Sequence, residues 1–184
     1  MSAVRELRWD PLARQLLTMP LLAYTSLRNG TLAFSKGRLM LQPGQRATPA
    51  SGYALDIELA LALPASSDTA TALELQVLAA PAGGRVNASS GFEIDAVSIL
   101  VNVSAPAADG SRKGLLGINF PAEGPWRRPF AVLTGERHVD IRVLVDRSVV
   151  EVWVAGGRAT LQGRSYGALE DTAVHLIAPQ GQQR

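Results

Sequence analysis

Between Asp140 and Gly157 the chain reads DIRVLVDRSVVEVWVAGG, with apolar residues at every second position on both sides of Asp146-Arg147-Ser148. A repeat of two is the side-chain period of a strand and does not fit the 3.6-residue period of a helix. Two such runs across a short polar break predict an antiparallel hairpin. Ala155-Gly156-Gly157 then supplies a permissive backbone for a second turn into Arg158–Tyr166. This region must fold into sheet.

The same signal recurs upstream. Ser51–Leu63 alternates Tyr53, Leu55, Ile57, Leu59, Leu61 and Leu63 against smaller or acidic residues, and Pro64-Ala65-Ser66-Ser67-Asp68 ends the run. Leu73, Leu75 and Val77 alternate with Glu74 and Gln76 until Pro81-Ala82-Gly83-Gly84. Phe92–Ser104, Leu115–Phe120 and Ala173–Ala178 are further strands, while Pro121–Pro129 reads as a loop crossing between sheets. No long helical period and no fixed internal repeat competes with this pattern. The expected fold class is all-β, a two-sheet antiparallel β-sandwich. Its core must be mostly Val, Leu, Ile and Ala, because 47% of the 184 residues are hydrophobic and only 5% aromatic. Small aliphatic side chains suit two closely packed layers.

Charge and composition exclude several functions. The net charge is only +2, and the one compact basic group, Trp126-Arg127-Arg128, reads as a solvated loop between prolines, so nucleic acid is not an expected partner. Apolar runs such as Ala54–Leu63 are interrupted by Asp56 and Glu58, short of the roughly 20 residues a membrane-spanning helix needs. The start, MSAVRELRWDP, has charges where a signal peptide has its apolar core, so any export signal lies on a longer precursor or does not exist. A secreted, vacuolar or lysosomal-like location would depend on that precursor. With no Cys there is no disulfide or thiolate chemistry. His138 and His175 lack metal-ligand spacing and read as outward-facing strand residues, and no Gly-rich loop opens a helix, so no metal and no cofactor is expected.

Gly163-Arg164-Ser165-Tyr166-Gly167 fits G-x-S-x-G, but no helix pattern follows to make a nucleophile elbow. Asn29, Asn87 and Asn102 open N-x-[ST] sequons at a turn or an outward strand face and are candidate N-glycosylation positions. Asp146, Arg147 and Glu151 gather charge at the hairpin turn, with Val149, Glu151 and Trp153 on one strand face and Val150, Val152 and Val154 on the other. Two readings stay open for them. One is a turn held by an Asp side chain and a local Arg–Glu pair worth at most about 1 kcal/mol. The other is a surface at which these side chains and Trp153 meet a sugar or a neighbouring domain.

The hairpin also resembles a family signature, LRVFVDRSxVEVFxNGG, from the C-terminal β-sandwich of glycoside hydrolase family 32, the invertases, β-fructofuranosidases and fructan hydrolases. Near the start, Arg5, Leu7, Pro20, Leu27 and Arg28 fall where the family's linker resembles PRxL followed by QxPVxELxxLR, with Ala23 in place of its usual Glu. The resemblance implies a jelly-roll-like sandwich over residues 29–184, preceded over 1–28 by an interdomain linker and first edge segment. Pro11 and Pro20 rule out one continuous helix there, and Leu12–Leu17 reads either as a helical turn or two or as a linker lying on a neighbouring surface.

Family 32 chemistry needs two carboxyl groups about 5–5.5 Å apart. The family carries them on a five-bladed propeller in motifs resembling Asn-Asp-Pro-Asn-Gly, Arg-Asp-Pro and Glu-Cys, none of which occurs in this chain. Trp9-Asp10-Pro11 lacks the Arg, and no catalytic residue is assigned. The resemblance therefore implies a non-catalytic domain that packs on and stabilises a sucrose- or fructan-cleaving propeller, its expected partner. The alternatives are a free-standing module binding fructose-containing carbohydrate through Asp146, Arg147, Glu151 and Trp153, or a homo-oligomerisation domain using sheet edges.

Overall fold

Alternation places the valines of the Asp140–Gly157 hairpin on one face, and that face is the floor of the core. The computed structural model describes residues 4–28, 37–64, 69–81, 96–121 and 124–180. Within them the strands are β1 (Arg5–Asp10), β2 (Gln15–Pro20), β3 (Arg46–Ser51), β4 (Ala54–Ala62), β5 (Thr71–Ala79), β6 (Val97–Val103), β7 (Arg112–Phe120), β8 (Gly124–Val132), β9 (His138–Asp146), β10 (Val149–Val154), β11 (Ala159–Arg164) and β12 (Ala173–Ile177). A 3₁₀ helix at Leu22–Leu27 follows β2.

One sheet has four strands in the order β11-β10-β9-β4, the other six in the order β3-β12-β5-β6-β7-β8, and β1-β2 form a separate hairpin. Every pairing is antiparallel. The result is a two-sheet β-sandwich, and the aliphatic core expected from composition is what fills it. Val150, Val152 and Val154 stand beside Val145, Val143 and Ile141 of β9 and, with Leu55, Ile57 and Leu59 of β4, face the other sheet's Leu75, Val77, Ile99, Val101, Leu116 and Ile118. Each buried aliphatic side chain contributes about 1.5–3 kcal/mol against an extended unfolded chain, an upper bound.

Two phenylalanines need glycines beneath them. A Cβ at Gly114 would land inside the Phe130 ring, and one at Gly163 inside the Phe120 ring. Gly163 is the first residue of the G-x-S-x-G match, so its small size serves packing.

Several expectations change. Pro121–Pro129 is no crossing loop: Gly124–Val132 pairs with β7 as the edge strand of the six-stranded sheet, and Trp126-Arg127-Arg128 lies on that strand. Its prolines are tolerated because Pro125 and Pro129 share one parity and an edge strand needs ladder donors on one side only. β3, read as no strand from sequence, pairs with β12. Leu12–Leu17 forms no helical turn: residues 11–14 make the turn of the β1-β2 hairpin and Gln15 onward is strand β2. His175 points outward from the core yet is only 1% exposed. Its Nε2 donates to the Ala80 carbonyl (3.1 Å), which leaves Nδ1 to accept from the Thr48 hydroxyl (2.8 Å). Phe92–Asp95 lies outside the described residues.

Gly114→Ala is expected to cost about 1–3 kcal/mol through overpacking of Phe130, read as a lower urea midpoint at unchanged slope.

Candidate functional site

The turn residues and the strand residues of the charged cluster do not share a surface. Arg147 takes a positive φ of 53°, as the first central residue of a two-residue hairpin loop can require, and its N–H donates to the Tyr53 carbonyl at 2.6 Å. Asp146 and Arg147 are exposed, whereas Glu151 and Trp153 are 3% and 4% exposed. The β1-β2 hairpin brings the group that meets them. Arg5 donates to Glu151 Oε2 at 3.0 Å and to Gln162 Oε1, and its guanidinium stands 5.8 Å from the centre of the Trp153 ring. A carboxylate this deep in the protein needs a charged partner close by. It comes from 146 residues away, not from the neighbouring turn.

A second anchor holds the other end of the hairpin. Arg158, in the β10-β11 turn, makes a forked pair with Glu136 (2.8 and 2.6 Å), donates to the Ala131 carbonyl (3.1 Å) and lies 3.5 Å from Asp10. Asp10 closes the hairpin turn by accepting from the N–H groups of Leu12 (2.9 Å) and Ala13 (3.1 Å). Backbone then meets backbone, with Thr18 N–H donating to the Gly157 carbonyl (3.1 Å), and the Gln15 side chain donates through Nε2 to the Arg158 carbonyl (3.2 Å). Gly157 has φ +89°, and a Cβ there would collide with the Thr18 carbonyl. Only glycine permits both the turn and this close approach.

These contacts set the charges. The Ala13 N–H lowers the Asp10 carboxyl below its ordinary range; desolvation opposes this, and the Leu12 N–H and Arg158 reinforce it. Burial pushes Glu136 up, but its hydrogen bond with Arg158, the Leu133 N–H and the charge of Arg158 outweigh that, so its carboxyl also lies below the usual range.

Further along, Arg142 forks onto Asp56 of β4 (2.9 and 2.8 Å), and Arg28, just past the 3₁₀ helix, reaches Asp56 (2.5 Å) and Glu58 (2.6 Å). Residues 4–28 therefore lie across the outer face of the four-stranded sheet, tied down by Arg5, Asp10 and Arg28. Alternation revealed that Glu151 and Trp153 share a face. Arg158 and Glu136 escaped sequence reasoning, since nothing local marks two ions 22 residues apart as partners.

Ser165 is buried after β11, its N–H donating to the Ser148 carbonyl, and among the described residues no helix follows it. Asp10 is spent on its turn and on Arg158. His138 is exposed and 3.2 Å from Asp140. Asn102 is exposed on β6, while Asn29 and Asn87 lie outside the described residues.

Residues 23–184 match the family described as glycosyl hydrolases family 32 C terminal. Solved structures of similar fold include the exo-inulinase from Aspergillus awamori, at 17% identity and a TM-score of 0.65, covering 96% of this chain and 32% of that enzyme. The GH32 beta-fructofuranosidase of Bombyx mori matches at 19% identity and 0.55, covering 97% and 30%. Fructan 1-exohydrolase IIa from Cichorium intybus matches at 12% and 0.53, covering 96% and 37%. The chain thus spans about a third of the structures it resembles. No curated protein matches it.

Removing the Arg5 charge should cost more than removing that of Glu151, because it takes a charged partner from a deeply buried carboxylate, whereas Arg5 itself keeps access to water. Arg5→Ala is expected to lose about 3 kcal/mol, and Glu151→Gln clearly less, in chemical denaturation. Asp10 and Glu136 are depressed in the folded state, so the unfolded chain takes up protons first as pH falls. Their stabilisation is full above the unfolded values of about 4 and disappears as pH drops through the folded ones. Tm should therefore fall below about pH 4, and Glu136→Gln should flatten that fall.

Proposed function

Because the chain belongs to the glycosyl hydrolase family 32 C-terminal domains, we propose that it is the non-catalytic sandwich of a β-fructofuranosidase-like enzyme, packing on and stabilising a catalytic domain. The family match over residues 23–184 carries this reading. It is supported by the likeness of nearly the whole chain to one third of much longer enzymes. The described residues also commit several buried or half-buried carboxylates to internal pairs: Glu151 to Arg5, Asp56 to Arg142 and Arg28, and Glu136 to Arg158.

Such groups serve architecture. A catalytic carboxyl must instead face a substrate with its partner across the scissile bond. The fructan-binding alternative draws less support, since of its four residues only Asp146 and Arg147 are exposed. Within the proposal, sucrose- or fructan-type substrates belong to the catalytic domain, and the sandwich contributes stability.

The purified chain is expected to release no fructose from sucrose or inulin. Fructose release that co-purifies with the chain and survives removal of contaminating hydrolases would overturn the proposal.

A further inference from the structure

A cleft of about 190 Å³ lies where three parts of the chain meet: the start of β9, the β10-β11 turn, and Leu17 of β2. Leu17 and Ala155 give it apolar lining. Arg137, His138, Asp140 and Gly156 give it polar lining, and the Glu136–Arg158 pair borders it as well. Local rules put these groups there. His138 and Asp140 alternate with the core residues Val139 and Ile141, so both face away from the core. The Ala155 N–H donates to the Asp140 carbonyl at 2.9 Å and ties the turn to β9. A Cβ at Gly156 would meet no atom within 4 Å, so the backbone of the turn stands open to whatever enters.

Some of the lining groups are already used and others are left over. Glu136 accepts from Arg158 with both oxygens and from the Leu133 N–H, and Arg158 also donates to the Ala131 carbonyl. Those two charges cancel locally. His138 Nε2 stands 3.2 Å from Asp140 Oδ1, and their side chains are 56% and 68% exposed. With Nε2–H donating, the neutral imidazole keeps Nδ1 as an acceptor, and the carboxylate keeps its second oxygen. On the donor side, Arg137 makes no ion pair and the Gly156 N–H has no backbone partner among the described residues. Donors and acceptors thus remain side by side in one concave place.

We infer that this cleft binds one sugar-sized polyol through His138, Asp140, Arg137 and the Gly156 N–H. The mixture of charges selects the class of ligand. An anion would meet the carboxylates of Asp140 and Glu136, and a cation would meet Arg137 and Arg158. Neutral vicinal hydroxyls donate to the first kind of group and accept from the second, while the C–H face of a sugar ring suits Leu17 and Ala155. Size agrees, because the cleft falls below the roughly 300 Å³ at which sites for drug-sized ligands begin. The inference goes beyond the accessory reading, since a domain that only packs on a neighbour requires no ligand of its own.

The test titrates the full chain with D-fructose, D-glucose and inorganic phosphate, followed by calorimetry and by the amide resonances of Ala155, Gly156 and Gly157. Saturable sugar binding with a millimolar Kd is expected, with shifts at these three amides and none with phosphate. His138→Ala and Asp140→Ala are each expected to weaken sugar binding about tenfold while leaving Tm unchanged, because both side chains are largely exposed. Asp146→Ala, at the far end of β9, is the control and should bind as the parent does. No saturable response to either sugar would overturn the inference. Binding of parent strength by both His138→Ala and Asp140→Ala would do the same. Shifts at the three amides with phosphate in place of sugar would make the cleft an anion site and sink the proposal. None of these results touches the accessory reading, which a chain without a sugar site would still satisfy.

Discussion

The aliphatic contact between the inner faces of the two sheets is the constraint on which everything else rests. Val150, Val152, Val154, Val143 and Ile141 from one sheet, and Leu75, Val77, Ile99, Val101 and Ile118 from the other, are all at most 2% exposed. β-branched side chains lose little rotamer freedom in strands, so a core built from them is inexpensive in conformational entropy. Having few aromatics has a consequence too. The large rings Phe120 and Phe130 fit only over Gly163 and Gly114, which makes those two glycines part of the core.

Once the valines point inward, strand geometry forces Glu151, Trp153, Arg142 and Asp56 outward onto the opposite face of the four-stranded sheet. That face would be costly to leave bare, with a tryptophan beside several charges. Residues 4–28 cover it. Their cations meet the sheet's carboxylates at Arg5–Glu151 and Arg28–Asp56, and at the other end of the hairpin Asp10 meets Arg158. The charges of the segment and of the sheet are complementary, so the order and direction of the segment on the sheet are specified along with its attachment.

The fold was legible where burial is one-sided. β4, β5, β9, β10 and β12 each show a period-two pattern because one of their faces meets the core. It was illegible at edges. β3 (RATPAS) and β8 (GPWRRPFAV) carry prolines and charges that normally signal loops, and their strand state comes from pairing with β12 and β7. The strands of the N-terminal hairpin were not read from sequence for a similar reason, since Pro11 and Pro20 bracket a segment whose conformation depends on the sheet beneath it. Of the candidate site, sequence placed Glu151 and Trp153 correctly on one face, but it offered Arg147 as a local partner when Arg5 holds the carboxylate.

By itself, then, the sequence determined the alternation that makes a sandwich, the faces of the central strands, and the family signature in the Asp140–Gly157 hairpin. These are local properties, set by side-chain period and turn chemistry within a few residues. Tertiary structure alone decided which charges pair, that His175, Glu151 and Trp153 are buried, and that Leu7, Trp9 and Leu16 are left exposed. Those outcomes depend on contacts between residues as far apart as Arg5 and Glu151, and no short-range pattern records which distant surface a strand face will meet.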